Sequence, residues 1–337
     1  MNQLYPFKFK AIYKEKIWGG QNLKPILNKQ IPYGKKIGES WEISGVEGDI
    51  SIVANGFLEG NELTELIEIY MGDMVGDRIY EQYGTEFPLL IKYIDANDVL
   101  SIQVHPDDHL ALERHNSSGK TEMWYIIDCK KDAELITGFN HDMDKNHYLM
   151  HLNKKEIPQI VNYEKVTPGD VFYIPAGRIH AVGAGIVLAE IQQTSDITYR
   201  IFDWDRKDEK GNYRELHTEQ AVDAIDFKKY DSYKTSYQAT PNISSPVLNT
   251  PYFITSILEF DQILEKNYNQ LDCFVIYLCV DGKFEIEYNE SEKITIEKGE
   301  TVLIPAVLEH LTLKPVTRSK VIEVYIPEKD DEKSASR

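Results

Sequence analysis

Cysteine is scarce in this 337-residue sequence: Cys129, Cys273 and Cys279 are the whole set. An odd number without C-x-x-C spacing excludes a disulfide framework and a cysteine-ligated zinc knuckle. Cys273 and Cys279 stand six apart in CFVIYLC, which predicts one shared strand face. The expected role of all three is that of small core hydrophobes in a reduced, cytoplasmic compartment. Positive charge is also short. With 37 Lys+Arg against 55 Asp+Glu, the formal net charge is −18. No basic excess exists to release counterions from nucleic acid or to dock on an anionic membrane, so neither is expected as a partner. A small anion held by a few local cations stays compatible with that total. No run approaches the roughly 18 apolar residues of a membrane helix. The start, MNQLYPFKFKAIYKEKIWGG, lacks the apolar stretch and small-residue cleavage site of a secretory leader.

What is present is ordinary for a globular chain, 42% hydrophobic and 27% charged, and long enough for two domains without disulfide staples. Short runs rich in Val, Ile, Tyr and Phe recur: PLLIKYI, VLSIQV, MWYIID, VFYIPA, IVLAEI, YFITSILEF, CFVIYLCV, KFEIEY and VIEVYI. Asn55-Gly56 and Asp281-Gly282 fit tight turns between paired strands. This texture predicts a mainly β fold, a sandwich or jelly roll rather than βαβ units. Helical patterns are few. NELTELIEIYMGDMVG carries an apolar stripe at Leu63, Leu66, Ile67 and Tyr70, and DDHLALERH, HDMDKNHYLMHLNK and ELHTEQAVDAI are shorter candidates.

An internal repeat organises the rest. Residues 168–180 read PGDVFYIPAGRIH and residues 298–310 read KGETVLIPAVLEH. Gly169/Gly299, Asp170/Glu300, Ile174/Ile304, Pro175/Pro305, Ala176/Ala306 and His180/His310 coincide without a gap. The reading is two copies of one barrel-like unit. The expected boundaries are a unit at 1–225, a polar linker at 226–250, a second unit at 251–328 and a disordered tail at 329–337.

The first copy, G-x5-P-x-G-x-x-H, resembles the second motif of the cupin superfamily, small jelly-roll β-barrels that hold a metal inside. Ligands two apart on a strand project to one face, so an x-H pair can meet a distant Glu and His inside a barrel. Upstream, LSIQVHPDD places Gln103 and His105 two apart, and GKTEMWYIID opens with Lys120 and Glu122. With His180 this makes Gln103, His105, Glu122 and His180 a candidate ligand set, Gln103 standing either as a ligand or as its hydrogen-bonding neighbour. Imidazole, carboxylate and amide oxygen without thiolate suit Zn, Fe, Mn or Ni. In the second copy the strands before His310 carry no histidine, and Gly177 is replaced by Val307. That unit is expected to be metal-free. His109 and His115 fall on a charged helical stretch and are expected to face solvent. After His180, Glu190, Asp196 and Arg200 read either as surface ion pairs or as a catalytic edge with Arg200 as fixed cation.

Four blocks together resemble type I phosphomannose isomerases: GESWEISGVEGDISIVANG, LLIKYIDANDVLSIQVHPDD, GKTEMWYIID and VFYIPAGRIHAVGAGIVLAEIQQTSDITYRIFDWDR. The likeness runs from Lys14 to about Arg206 and continues more weakly beyond, in the compact form lacking a helical insertion. It implies two cupin-type jelly-roll barrels with a few short helices. It implies one Zn²⁺ per chain on Gln103, His105, Glu122 and His180. The implied activity is interconversion of mannose 6-phosphate and fructose 6-phosphate through a cis-enediol(ate). Family positions fall on Lys92, Ser101, Lys120 and Arg200 for the phosphate or the developing charge, and on Glu190 and Asp196 as further active-site groups. The expected partner is a small sugar phosphate, and the expected assembly a monomer or weak homodimer. An iron-dependent dioxygenase and a non-catalytic sugar-phosphate binding module are the competing readings; the Gln–Lys–Arg surroundings fit the first poorly.

Overall fold

The computed structural model describes residues 3–208 and 210–328; the tail expected at 329–337 lies outside the described residues. The chain is mainly β, as its sequence texture predicts. It divides into two compact units that do not follow chain order. One contains Ala11–Asp49 and Pro88–Thr235; the other contains, among the described residues, 3–10, Ile50–Phe87 and 236–328. The sequence reading assigned everything up to residue 225 to the first unit, whereas packing gives two N-terminal segments to the second. The tract at 226–250 is not a bare linker either. Lys234–Thr235 is the edge strand of one sheet and Ser245–Asn249 that of another.

The first unit holds two antiparallel sheets. Its seven-stranded sheet runs in the order Ile12–Gly20, Ile37–Ile43, Leu89–Ala96, Ile186–Gln193, Glu122–Cys129, Val171–Ile174, Lys234–Thr235. The five-stranded sheet runs Tyr199–Phe202, Ile102–Val104, His180–Ala181, Glu134–Phe139, Val161–Lys165. Alternation decides what each face meets. From the second sheet, Leu135 and Val182 point in against Trp124, Ile126, Phe172 and Leu188. Ile102, Val104, Ala181 and Ile201 point out, where the helices Lys145–Asn153 and Thr218–Ala224 cover them through Tyr148, Ala221 and Val222. The second unit repeats the plan with a five-stranded and a four-stranded sheet. In neither unit do the described strands close into one continuous barrel. The expected barrels are cupin-like sandwiches with open edges.

The sequence repeat has a hydrogen-bonding cause. Gly169 N donates to Ile126 O at 2.8 Å and Ile126 N returns a bond to Asp170 O at 2.9 Å; Gly299, Cys279 and Glu300 repeat this at 2.7 and 3.0 Å. The acidic side chain closes the same turn in both copies, Asp170 Oδ2 accepting from Thr167 N and Glu300 Oε2 from Glu297 N, each at 2.8 Å. The copies part company after the Pro-Ala step. Gly177 adopts φ 86°, and a Cβ there would sit 2.9 Å from Ala224 O. Val307 has no left-handed backbone, although the same turn closes in both copies, Arg178 N donating to Pro175 O and Leu308 N to Pro305 O, each at 3.0 Å. His180 points inward, whereas His310 is exposed and Leu311 packs into the core in its place. A slip of one residue is enough to turn a strand side chain to the other face.

Other local expectations are corrected by tertiary context. The helix expected over 61–76 breaks into Leu63–Tyr70 and Gly72–Val75, with Met71 at φ 47° between them. Asp281-Gly282 does not close a hairpin, because Val275–Asp281 and Lys283–Tyr288 belong to different sheets. Asn55-Gly56 starts a loop in which Asn55 Oδ1 accepts from Lys8 N at 2.8 Å. Cys273 precedes the strand that holds Cys279, so the two do not share its face; both are buried free thiols, pushed up to about 12 by burial. Among the described residues no helix is long and apolar enough to cross a membrane.

Candidate active site

The site is assembled on the inward faces of the two sheets of the first unit. Register lines up one row across the large sheet, Trp41–Lys92–Glu190–Trp124–Phe172, each residue directly opposite the next. The neighbouring row is Leu90–Gln192–Glu122–Ile174. From the facing sheet, Arg200, Gln103 and His180 form a third row, each opposite the next. Pairing of strands far apart in sequence therefore brings residues from 41 to 200 into one place.

His105, Glu122 and His180 offer ligand atoms that all lie within 4.8 Å of one another, and all three residues are buried. His105 Nε2 is 3.2 Å from Glu122 Oε1, His180 Nε2 is 3.8 Å from Glu122 Oε2, and the Gln103 amide is 3.3 Å from His180 Nε2. Zinc bonds of 2.0–2.2 Å in a tetrahedron ask for donor separations of about 3.4 Å. Each imidazole is fixed by its other nitrogen. His105 Nδ1 faces Ile197 O and His180 Nδ1 faces Arg178 O, both at 2.8 Å, so Nδ1 carries the proton and Nε2 presents a lone pair. His105 Nε2 and both Glu122 oxygens are buried without an aligned hydrogen bond. Lys120 Nζ reaches Glu122 Oε1 at 3.0 Å, but as an ion-pair contact without hydrogen-bond alignment. Buried acceptors left in this state are costly unless a cation takes them. The donor set fits a divalent metal.

The electrostatics agree with that chemistry. Burial, reinforced by the Lys120 ammonium, pushes His105 down to about 3, and burial also lowers His180, so both imidazoles stay neutral. Burial raises the Glu122 carboxyl, but the Lys120 ammonium leads the groups that reverse this, and the carboxyl is held well below the usual carboxylate range. Glu190 moves the other way, raised by burial and by the Glu122 charge against the opposing lysines.

A family profile described as phosphomannose isomerase type I, catalytic domain, matches residues 6–164. Mannose-6-phosphate isomerase ManA of Bacillus subtilis is 35% identical over 315 residues, spanning 92% of this chain and 96% of that protein. The chain belongs to the type I phosphomannose isomerase family. The mannose-6-phosphate isomerase of Streptococcus mutans is 32% identical over 305 residues, 90% of this chain and 93% of that one. The crystal structure of the Bacillus subtilis mannose 6-phosphate isomerase matches the fold with a TM-score of 0.86 at 33% identity, covering 95% of this chain and 99% of that chain.

Within this phosphomannose isomerase fold the remaining site residues take different places. Lys120 is buried beside Glu122. Lys92 is buried and committed: its ammonium donates to Glu190 Oε1 at 3.1 Å and Gln192 Oε1 at 2.7 Å. Glu190 Oε2 accepts from Trp124 Nε1 at 2.8 Å, and the Trp124 ring stands edge-on to His180 at 5.3 Å. Ser101 is buried one residue before the Ile102–Val104 strand. Arg200 is half-buried, with Nη1 donating to Glu215 O at 2.8 Å; Asp203 holds its neighbours Arg206 and Arg214. Asp196 is exposed in the irregular segment between the Ile186–Gln193 and Tyr199–Phe202 strands, apart from these contacts. His109 and His115 are exposed, as expected from their helix.

Sequence reasoning missed Glu39, Trp41, Trp124, Gln192 and Gln193. Trp124 had a signal, since it lies two residues after Glu122 and must share its face. Glu39 had a weaker one, a carboxylate in a strand whose seven residues are all buried. Its Oε2 accepts from Trp41 Nε1 at 2.7 Å and its Oε1 lies 3.0 Å from Lys16 Nζ. Burial raises the Glu39 carboxyl, but Lys92 and Lys16 outweigh it and lower its pKa from 4.5 to about 2. The folded value lies below the unfolded one, so the unfolded chain binds the extra proton. This contribution, on the order of 3 kcal/mol, is complete above pH ~4.5 and is lost as the pH falls through about 2. Glu39→Gln is expected to flatten that acid limb in urea unfolding followed from pH 5 to pH 2. An acid limb identical to that of the unaltered chain would exclude this role.

Proposed function

We propose that this chain is a zinc-dependent mannose-6-phosphate isomerase, interconverting mannose 6-phosphate and fructose 6-phosphate through a cis-enediol(ate). The observation that carries the reading is the buried His105–Glu122–His180 set, its Nε2 and carboxylate atoms turned to one point beside Lys120. These three residues would hold the ion, with the Gln103 amide oxygen reaching it after a flip of its end group. When bound, the ion supplies a fixed positive charge for the oxygen on which negative charge develops.

The isomerisation removes the proton from C2 of the open-chain aldose and places a proton on C1, while O1 gains a hydrogen and O2 loses one. Lys120, beside Glu122, would donate to the developing oxyanion, a type of contact worth ~3 kcal/mol. Glu190 is the carboxylate that burial raises toward neutrality, which suits a group that takes up and returns a proton. Arg200 and Ser101, near the Gln103 strand, would receive the phosphate. Lys92 has its donors engaged by Glu190 and Gln192, so its proposed part is to hold Glu190 rather than to bind phosphate. Asp196, which is exposed, is assigned the rim of the site. The three free thiols suit a cytoplasmic setting.

The test is a coupled assay for fructose 6-phosphate, run with mannose 6-phosphate and with glucose 6-phosphate. Turnover of the first is expected to vanish on chelation and to return with Zn²⁺. No turnover after metal restoration would refute the assignment, and binding seen only as thermal stabilisation would favour a non-catalytic module.

A further inference from the structure

Two adjacent side chains, Gln192 and Gln193, connect the parts of the site. They end the Ile186–Gln193 strand, and neighbouring strand residues point to opposite faces, so each can serve a different loop. Gln192 is fully buried directly opposite Glu122. Its Oε1 accepts from Lys92 Nζ at 2.7 Å, and its Nε2 donates to Gln193 O at 2.9 Å and to Ser195 O at 2.6 Å. Two residues beyond Ser195 stands Ile197, whose carbonyl fixes the His105 ring through Nδ1. Gln192 thus pins the bend that orients one imidazole of the cluster.

Gln193 does the same for the other side. Its Oε1 accepts from Thr121 N at 2.9 Å, and its Nε2 donates to Asp108 Oδ1 at 2.9 Å. Asp108 Oδ1 in turn accepts from Gly119 N at 2.9 Å. Lys120 is therefore held at both flanking residues, and Glu122 follows Thr121 directly. The amide presents a carbonyl acceptor and NH₂ donors from one side chain; a carboxylate lacks the donors and an aliphatic chain lacks both.

We infer that Gln192 and Gln193 are the positioning residues of the site, Gln192 setting the His105 ring and Gln193 setting the Lys120–Glu122 segment. This rests on the metal-centre reading given above. Outer groups that orient metal ligands change metal affinity by about 10- to 100-fold when removed. The experiment is a zinc titration against a chromophoric chelator on Gln192→Met, Gln193→Met and the unaltered chain, with thermal melts of each. Tyr277→Phe, which removes a buried hydroxyl in the other unit, serves as control for simple loss of stability.

Gln192→Met is expected to weaken zinc binding about 10- to 100-fold. Gln193→Met is expected to lower kcat at saturating zinc at least ~10-fold, with KM within about threefold, because Lys120 acts on the transition state. Tyr277→Phe is expected to lower Tm while leaving zinc affinity unchanged. Should Gln192→Met not fold, Gln192→Asn replaces it: it keeps the amide but is one methylene too short to span Lys92 and Ser195 together. Zinc affinity and kcat within about twofold of the unaltered chain in both glutamine variants would overturn the inference. An unaltered chain that binds no zinc would instead overturn the metal reading, and this inference with it.

Discussion

Glu122→Gln is expected to empty the metal centre and to lower kcat/KM for mannose 6-phosphate by about 10³-fold, corresponding to ~4 kcal/mol of transition-state stabilisation. The substitution keeps shape and removes charge. Glu122 is the one carboxylate in the His105–Glu122–His180 set, and the two imidazoles are held neutral by burial. Without it, a divalent ion would meet only neutral donors and a repelling Lys120 ammonium 3.0 Å from the lost charge. The metal-free variant is also expected to lose stability. Removing one partner of a buried pair leaves the other charge uncompensated, at ~3–5 kcal/mol. Metal content by atomic emission and the coupled assay check the first part, and urea unfolding checks the second. A variant that retains one equivalent of zinc and full turnover would exclude Glu122 as a ligand.

Lys92→Met separates two roles that the sequence alone left together. A lysine that binds substrate phosphate changes KM for mannose 6-phosphate and leaves stability nearly untouched. A lysine that neutralises its own protein does the reverse. Its ammonium donates to Glu190 and Gln192 and lies 5.2 Å over the Trp41 ring, while Glu190 and Glu39 keep it charged against the effect of burial. Lys92→Met is therefore expected to destabilise the protein by ~3–5 kcal/mol, seen as a fall in Tm of about 10 °C. Loss of kcat is expected to exceed any rise in KM, since Glu190 would then be neutral more of the time. A variant of unchanged Tm with KM raised tenfold would restore the phosphate role.

Both results bear on how much of this protein was legible before its fold. The positions of Gln103, His105, Glu122 and His180 could be picked out because strand alternation is a local rule, and spacings of two residues survive any tertiary arrangement. The Gly-acid-Ile-Pro-Ala repeat was legible for a similar reason: it encodes a turn whose hydrogen bonds recur in both units. Lys92 looked like a free cation because nothing within its own strand neutralises it. Glu190, its partner, is 98 residues away and meets it only through cross-strand register. Gln192 and Gln193 escaped notice because amides carry no charge, and their value lies wholly in what they join.

By itself, then, the sequence determined the mainly β character, the repeated unit, the candidate ligand positions and the likeness to type I phosphomannose isomerases, all of which rest on local periodicity and short motifs. Tertiary structure alone decided that residues 3–10 and Ile50–Phe87 pack with the later strands. It also turned His310 outward while burying His180, and spent the charge of Lys92 inside the protein. The physical reason is the same in each case. Burial and pairing between strands distant in the chain depend on register, and a shift of one residue exchanges core for solvent.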